Sequence, residues 1–462
     1  MTSNRTYDEI AIGDLAQLER AVEANDLFIF ASASGNANPL LLPEWDPDGD
    51  GASNASAPAM WLAALVSTLL GNTLPGPGTV HESHALRFPA PAPLGARLRV
   101  RIEAMEKMPA RRVRFAVTID RQDGVRVAEG EAIVIAPVER IAAREEPLPG
   151  LLVERHQHID RLLLRCEALP ALRTAVVAPE DDMSLAGALL ARRRGLIEPV
   201  LIGEPARIAA CAASLGEDIN GIELVSAAGH DAAACAAVEL VSAGRAQAIM
   251  KGRLHSDQLL APVVRRESGL RTGRRMSHVF VMDVPGHAEL MLITDAAINI
   301  APTLEDKVDI VQNAIDLALA LGCAQPRVGI LSAVEVVNPK IASTLDAAVL
   351  SKMAERGQIR GGLVDGPLAM DNALSLSAAR AKGIASLVAG RANVLVVPNI
   401  ESGNMLAKEL AFLSHAEGAG VVLGARAPIM LTSRADDDRA RLASCAVAVL
   451  YEHWRRTGAP AP

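Results

Sequence analysis

The feature that most constrains this chain is a break in its periodicity between Ala136 and Gly150. Pro137, Pro147, Pro149 and Gly150 stand there among five charged residues and interrupt the apolar patterns on either side. Such a stretch reads as a linker between separately packed parts. Ahead of it, Pro58 to Leu70 is one helical apolar run, while Arg97–Met105, Arg112–Arg121 and Val125–Ala136 are alternating or rich in β-formers. One helix followed by a strand meander predicts an antiparallel sheet wrapped around a single helix, an α+β unit. After the break, strands and helices take turns. Thr174–Ala178 and Val200–Ile202 read as strands, Ser184–Gly195 and Pro205–Leu215 as helices. Val279–Met282, Arg327–Ser332, Val394–Val397, Gly420–Leu423 and Ile429–Thr432 are further short strands. That order builds an α/β, doubly wound parallel sheet. At about 300 residues this part exceeds one comfortable core, so two lobes with a cleft between them are expected.

Half of the residues are apolar but aromatics are only 2%. The interior must therefore be filled by Ala, Leu, Val and Ile, as in layered α/β folds. Lys plus Arg is 46 against 54 for Asp plus Glu, a net charge of −8. That balance speaks against nucleic acid or an anionic membrane as partner, and any basic site must be local. No stretch reaches the roughly 18 uninterrupted apolar residues of a spanning helix, and the acidic N-terminus does not read as a targeting segment, so a cytoplasmic location is expected. The five cysteines, Cys166, Cys211, Cys235, Cys323 and Cys445, are odd in number and lack metal-ligand spacing. Buried thiols and no metal site follow.

Thr303 followed by Asp306 makes a capping box, and Ile310, Val311, Ala314, Ile315, Ala318 and Leu321 then share one helical face that stops at Gly322. Just upstream, Thr294, Asp295 and Asn299 are polar groups at the exit of a strand, where ligands of open α/β sheets bind.

The first part carries FASASGNANP from Phe30, APAMW from Ala57, LPGPGT from Leu74, LRFPAPAPLG from Leu86 and GEAIVIAP from Gly130. Together these resemble the MaoC-like hot-dog hydratases over residues 10–137, with 138–154 as linker. That family places an Asp directly after Ser-Gly and a His five residues later, a pair suited to moving protons during addition of water to a 2-enoyl thioester. Here the two positions hold Asn36 and Leu41, neither of which can act as a base. The family's His-Gly step is Pro58-Ala59, where the Ala59 N–H remains a donor for a thioester carbonyl. His81 and His84 belong to a strand and read as surface or pore-lining histidines. The resemblance therefore implies a binding, channelling or dimerising module without hydratase activity. A hot-dog sheet leaves an exposed edge, so a homo-oligomer, dimer or higher, is expected.

The second part carries MKGRLHSDQLL from Met250, GLRTGRRMSHVFVMD from Gly269, TDAAINIAPTLEDK from Thr294, LSAVEVVNPKI from Leu331, DGPLAMDNA from Asp365, IESGNMLAKEL from Ile400 and LTSRADDDRARLASCA from Leu431. These closely resemble the phosphate acetyltransferase and phosphate butyryltransferase family over residues 155–455. The whole chain is similar to the bifunctional enoyl-CoA hydratase/phosphate acetyltransferases. The resemblance implies a two-lobed, isocitrate-dehydrogenase-like fold and the reaction acyl-CoA plus phosphate to acyl phosphate plus CoA. Coenzyme A and phosphate enter as substrates, with no bound cofactor.

In the family a Ser-Arg pair serves the oxyanion and the phosphate, roles that fall here on Ser433 and Arg434. The catalytic Asp of the acetyl branch would fall on Ala440, and the butyryl-like phrasing offers Asp436 instead. Asp436, Asp437 and Asp438 equally suit the first turn of a helix. Arg271, beside Arg274 and Arg275, is a candidate for phosphate or CoA-phosphate binding. Asp295, Asn299, Glu335, Asn338 and Asn404 complete the candidate substrate-binding set. Asp365-Gly-Pro-Leu reads as a turn, and His278 as a structural histidine entering a buried strand. A metal-dependent decarboxylating dehydrogenase would need a nucleotide fingerprint and a tight carboxylate cluster, neither of which is present in the sequence. A non-catalytic CoA-ligand-binding or scaffolding protein, and a truly bifunctional enzyme, are the alternatives.

Overall fold

The computed structural model of the chain describes every residue except 1, 49–52, 144–150, 152, 154, 432–436 and 462. Residues divide into two compact units, Met1–Val153 and Glu154–Pro462.

In the first unit the short strand Thr2–Ser3 (β1) leads to Leu15–Ala21 (β2), Val80–Arg87 (β3), Arg97–Met108 (β4), Arg112–Arg121 (β5), Arg126–Ile135 (β6) and Ala142–Ala143 (β7). β1 pairs with β7, and the remaining five form an antiparallel sheet in the order β2-β4-β5-β6-β3. The period of two is strict in the centre of the sheet. Leu98, Val100, Ile102 and Ala104 of β4 and Val113, Phe115, Val117 and Ile119 of β5 are buried, with more exposed residues between them. Those buried faces pack on Trp61, Leu62, Val66, Leu69 and Leu70 of the helix Ala59–Asn72. This is the hot-dog arrangement, one helix held in a curved antiparallel sheet. The edge strand β3 is exposed along almost its whole length and carries His81 and His84 with ring centroids 5.3 Å apart.

The second unit contains Leu172–Val177 (β8), Ile197–Gly203 (β9), Glu223–Ser226 (β10), Ala248–Lys251 (β11), Ser277–Asp283 (β12), Met291–Thr294 (β13), Arg327–Leu331 (β14), Leu363–Leu368 (β15), Val394–Val396 (β16), Glu417–Leu423 (β17) and Ile429–Met430 (β18). They join in one sheet, β10-β9-β8-β11-β18-β17-β12-β13-β16-β14-β15. Its two ends are parallel, as strand–helix alternation requires, but β18/β17, β17/β12 and β12/β13 are antiparallel. The sheet is therefore mixed and not parallel throughout. The connections 284–290 and 424–428 hold no helix, and a short connection can join only antiparallel neighbours. Asp365-Gly-Pro-Leu is likewise not a turn. It lies in the edge strand β15, the place where a sheet tolerates proline.

One face of this sheet is covered from end to end by a single apolar cluster. Helices Asp182–Arg193, Leu304–Ala320 and Asp438–Thr457 contribute Leu185, Ile310, Ile315, Val447 and Leu450 to it. The Thr303–Asp306 capping box is formed as expected, with Thr303 Oγ1 accepting from the Asp306 N–H at 3.2 Å. On the opposite face there are two separate clusters. One lies under helices His230–Ser242 and Ser256–Val263, the other under Leu376–Ala381 and Ile400–Phe412. Between them the central antiparallel strands present their side chains to a cleft. Of the five cysteines, Cys166 and Cys445 are buried, and burial pushes both thiols up to about 12. Cys211, Cys235 and Cys323 are only half-buried, because their helix and loop positions face the edge of the packing and not its centre.

Candidate active site

Alternation along β12 decides what reaches the cleft. Val279 and Val281 point into the large cluster on the far face, whereas His278, Phe280 and Met282 line a cavity of about 470 Å³. Gly418 and Gly420 of β17, Leu431, Lys251 at the end of β11, and Asn404, Lys408 and Phe412 of the helix Ile400–Phe412 complete most of its wall. Gly420 has to lack a side chain. A Cβ there would lie 2.7 Å from the Leu431 carbonyl oxygen and 2.9 Å from His278 Nε2, so glycine keeps the floor low enough for a ligand to approach the backbone. The wall is apolar through Phe280, Met282, Ala407, Ala411 and Ala416, and cationic at Lys251 and Lys408. Lys251, only 6% exposed, also lines an adjoining cavity with Arg253 and Arg441.

His278 is buried in β12 as the sequence predicts, but its ring is part of the cleft wall. Nδ1 has no hydrogen-bond partner, and the ring packs edge-on against Phe280 at 4.4 Å. Burial pushes its pKa down to about 3, so a neutral imidazole faces the cleft at any physiological pH. In the unfolded chain the same group titrates near 6.5. Below that pH the unfolded state takes up a proton that the folded state refuses, so stability falls as pH drops from about 6.5 toward 3. At pH 5 the loss attributable to this one residue is about 2 kcal/mol. Urea denaturation of wild type and His278→Gln at pH 7 and pH 5 measures it. The pH-dependent difference should shrink by roughly that amount in the variant.

The sequence-predicted residues separate into three groups. Asn404 reaches the cleft, with Nδ2 3.4 Å from the Ala296 carbonyl. Asp295 and Asn299 lie beside it but spend their hydrogen bonds on the protein. The Asp295 carboxylate accepts from the N–H groups of Ala297 (2.9 Å), Ile298 (3.1 Å) and Asn299 (3.1 Å) and from Asn299 Nδ2 (2.5 Å). Burial raises the Asp295 pKa, and these donors pull it back. Asn299 in turn donates to the Met276 carbonyl at 2.9 Å and accepts from Arg275 Nε at 2.8 Å. The pair thus fixes the loop after β13 to the entry of β12. Glu335 and Asn338 do not line the cavity. Glu335 pairs with Lys382 at 3.1 Å, while Asn338 Oδ1 accepts from Lys340 N at 3.0 Å ahead of the helix Ala342–Glu355. Arg271 is exposed, its backbone bridged to Ala425, and it is not part of the lining.

Ser433, Arg434 and Asp436 lie outside the described residues. Leu431 before them and Asp437 after them both line the cavity. Asp437 is the N-cap of the helix Asp438–Thr457, its Oδ1 accepting from Ala440 N at 2.8 Å, which is the helix-start role open to these acids in the sequence. Sequence reasoning missed Lys251, Phe280, Lys408 and Glu417 as cleft residues. For Phe280 and Gly420 a signal was present, the alternation along two adjacent strands, but it shows only once β12 and β17 are known to be neighbours. Among the described residues no group of three or more His, Cys, Asp or Glu is arranged to hold a metal ion, and no helix is long and apolar enough to cross a membrane.

In the first unit Asn36 is used locally, Oδ1 accepting from Asn38 N at 3.3 Å and its own N–H donating to Ser34 Oγ at 3.3 Å. Leu41 ends the short 3-10 turn Pro39–Leu41, and Ala59 opens the central helix behind Pro58. No proton-transfer pair occupies the Asn36 and Leu41 positions. Hydration of crotonyl-CoA by the purified chain is expected to stay at the no-enzyme rate, followed as loss of the enoyl absorbance.

The family model described as "Phosphate acetyl/butaryl transferase" matches residues 229–449. The chain is 57% identical to the phosphate acetyltransferase of Rhizobium meliloti over 297 residues, 64% of this chain and 94% of that relative. Among solved structures it is similar to a branched-chain phosphotransacylase from Enterococcus faecalis V583, with a TM-score of 0.53 and 30% identity over 61% of this chain and 99% of that one. The unliganded R-hydratase PhaJ1 from Pseudomonas aeruginosa aligns with 34% identity over 33% of this chain and 98% of its own, at a TM-score of 0.31.

Proposed function

Because the chain belongs to the phosphate acetyl/butyryl transferase family, we propose that it transfers a short acyl group between coenzyme A and inorganic phosphate in the cleft over β12 and β17. A phosphate oxygen attacks the thioester carbonyl carbon, a tetrahedral oxyanion forms, and the C–S bond breaks to release CoA as thiolate. In the other direction CoA thiolate attacks the acyl phosphate and phosphate leaves. Lys251 and Lys408 supply positive charge in a cleft whose apolar wall excludes water, where such charge is worth more than in bulk solvent. Ser433 donates to the oxyanion, Arg434 holds the phosphate through its planar fork, and Asp436 is the base that takes the thiol proton.

The observation that carries this is the uncovered strip of central sheet, because the residues on both sides of the Ser433-Arg434 pair, Leu431 and Asp437, line the same cavity. Phe280, Met282 and Ala411 suit the acyl chain, acetyl or butyryl. One or two methylenes are discriminated by only about 1–3 kcal/mol in such a wall. The first unit serves as a CoA-ligand-binding or oligomerising module without hydratase chemistry, a reading favoured by Asn36 and Leu41.

The test is thioester formation by the full chain from acetyl, propionyl and butyryl phosphate with CoA, in the absence of added metal. Turnover ranked by chain length is the expected result. No thioester from any of the three sinks the assignment and leaves a CoA-binding or scaffolding protein.

A further inference from the structure

A second cavity, of about 520 Å³, lies beneath the helix Gln157–Cys166 and shares no lining residue with the catalytic cleft. Its floor is apolar, with Leu162, Leu290, Leu292 and Leu321. Its rim is cationic. Arg161 and Arg165 are one helical turn apart and so share a face of the helix. Arg165 is anchored by donating to the Leu321 carbonyl at 2.6 Å and the Ala461 carbonyl at 2.8 Å. Arg161 is exposed and has no carboxylate partner among the described residues. The one lining carboxylate, Glu289, is already taken by Arg327 at 2.6 Å and by Asn393 Nδ2 at 2.7 Å. In a chain of net charge −8 this leaves a local excess of positive charge above an apolar floor, in a volume typical of small-molecule sites.

The same helix is tied to the catalytic cleft by its N-terminal turn. The N–H groups of His158 and Ile159 donate to Asp283 Oδ2, at 2.8 and 3.0 Å, at the end of β12. Asp160 accepts from Arg439 Nη2 at 2.8 Å, and Arg439 also pairs with Glu417 in the cleft wall. His156 Nε2 stands 3.8 Å from the Glu417 carboxylate. A ligand that draws Arg161 over the cavity, beside the anchored Arg165, therefore pulls on the element that positions Arg439 and Glu417.

We propose that this cavity is a second binding site, for a small organic anion with an apolar body, and that its occupancy is read at the catalytic cleft through the helix Gln157–Cys166. The second half rests on the acyl-transfer reading of the cleft, while the first does not. The probe is 8-anilinonaphthalene-1-sulfonate, a sulfonate on an aromatic body, titrated by fluorescence into the full chain with CoA saturating. A saturable enhancement that CoA does not displace, and that Arg161→Glu weakens by about tenfold or more in Kd, is expected. The probe should also change the KM for CoA or acyl phosphate by about fivefold or more. That change should vanish in Asp160→Asn while the fluorescence titration stays as in wild type. Displacement by CoA, or identical binding in Arg161→Glu, overturns the site. Binding with an unaltered KM in an active enzyme overturns the coupling. If the chain shows no acyl transfer at all, the fluorescence arm still decides the site independently of the catalytic reading.

Discussion

Replacing Ser433 by alanine is expected to lower kcat for thioester formation by about 10²–10³-fold, with the KM for CoA within about threefold of wild type. The asymmetry follows from the oxyanion role proposed for the hydroxyl. Charge reaches the carbonyl oxygen only as the tetrahedral intermediate forms, so a donor aimed there stabilises the transition state and leaves ground-state binding untouched. The cleft amplifies the effect, because Phe280, Met282 and Leu431 exclude the water that would otherwise solvate the oxyanion. Arg434→Lys tests the companion role. Lysine keeps the charge but loses the bidentate fork, so the KM for acyl phosphate should rise while the KM for CoA does not. The measurement is initial-rate kinetics over both substrates, with urea denaturation to establish that each variant is folded. A Ser433→Ala enzyme with unchanged kcat, or with the whole loss in KM, sinks the oxyanion assignment.

The fold was legible wherever a local pattern dictates structure. Leu98 to Ala104 and Val113 to Ile119 alternate without interruption, and the Thr303–Asp306 box sits where its spacing predicts. What escaped the sequence was pairing between distant strands. Nothing local in Gly420 or His278 says that β17 lies antiparallel to β12 and sets Gly420 opposite Phe280. The cleft exists because of that pairing. For the same reason Asp295 and Glu335 looked alike in the sequence, as acids after a strand. Their difference is geometric, since Asp295 closes on four donors of its own loop and Glu335 turns out to Lys382. Lys251 lies in the phrase MKGRLHSDQLL, but nothing in that phrase singles it out as a cleft residue, and only the neighbouring strand β8 explains the glycine after it.

Gly252→Ala is expected to destabilise the second unit by about 3 kcal/mol or more. Gly252 donates its N–H to the Val177 carbonyl and Arg253 donates to the Ala178 carbonyl, each at 2.8 Å, where β11 ends beside β8. A Cβ at position 252 would stand 2.4 Å from the first of these oxygens and 2.5 Å from the second. Both are backbone atoms already engaged in hydrogen bonds, so no side chain can rotate aside to make room. The chain must move, either breaking the two bonds or carrying Lys251 away from the cleft, and each route costs activity as well as stability. Gly273→Ala is the control, since a Cβ there meets nothing within 4 Å, and its effect should stay within about 0.5 kcal/mol. Urea midpoints of the two variants and wild type, read beside thioester formation, provide the check. A Gly252→Ala protein as stable and as active as wild type would mean that Lys251 is not fixed at the cleft by this contact between β11 and β8, and the electrostatic role given to it would fall with that.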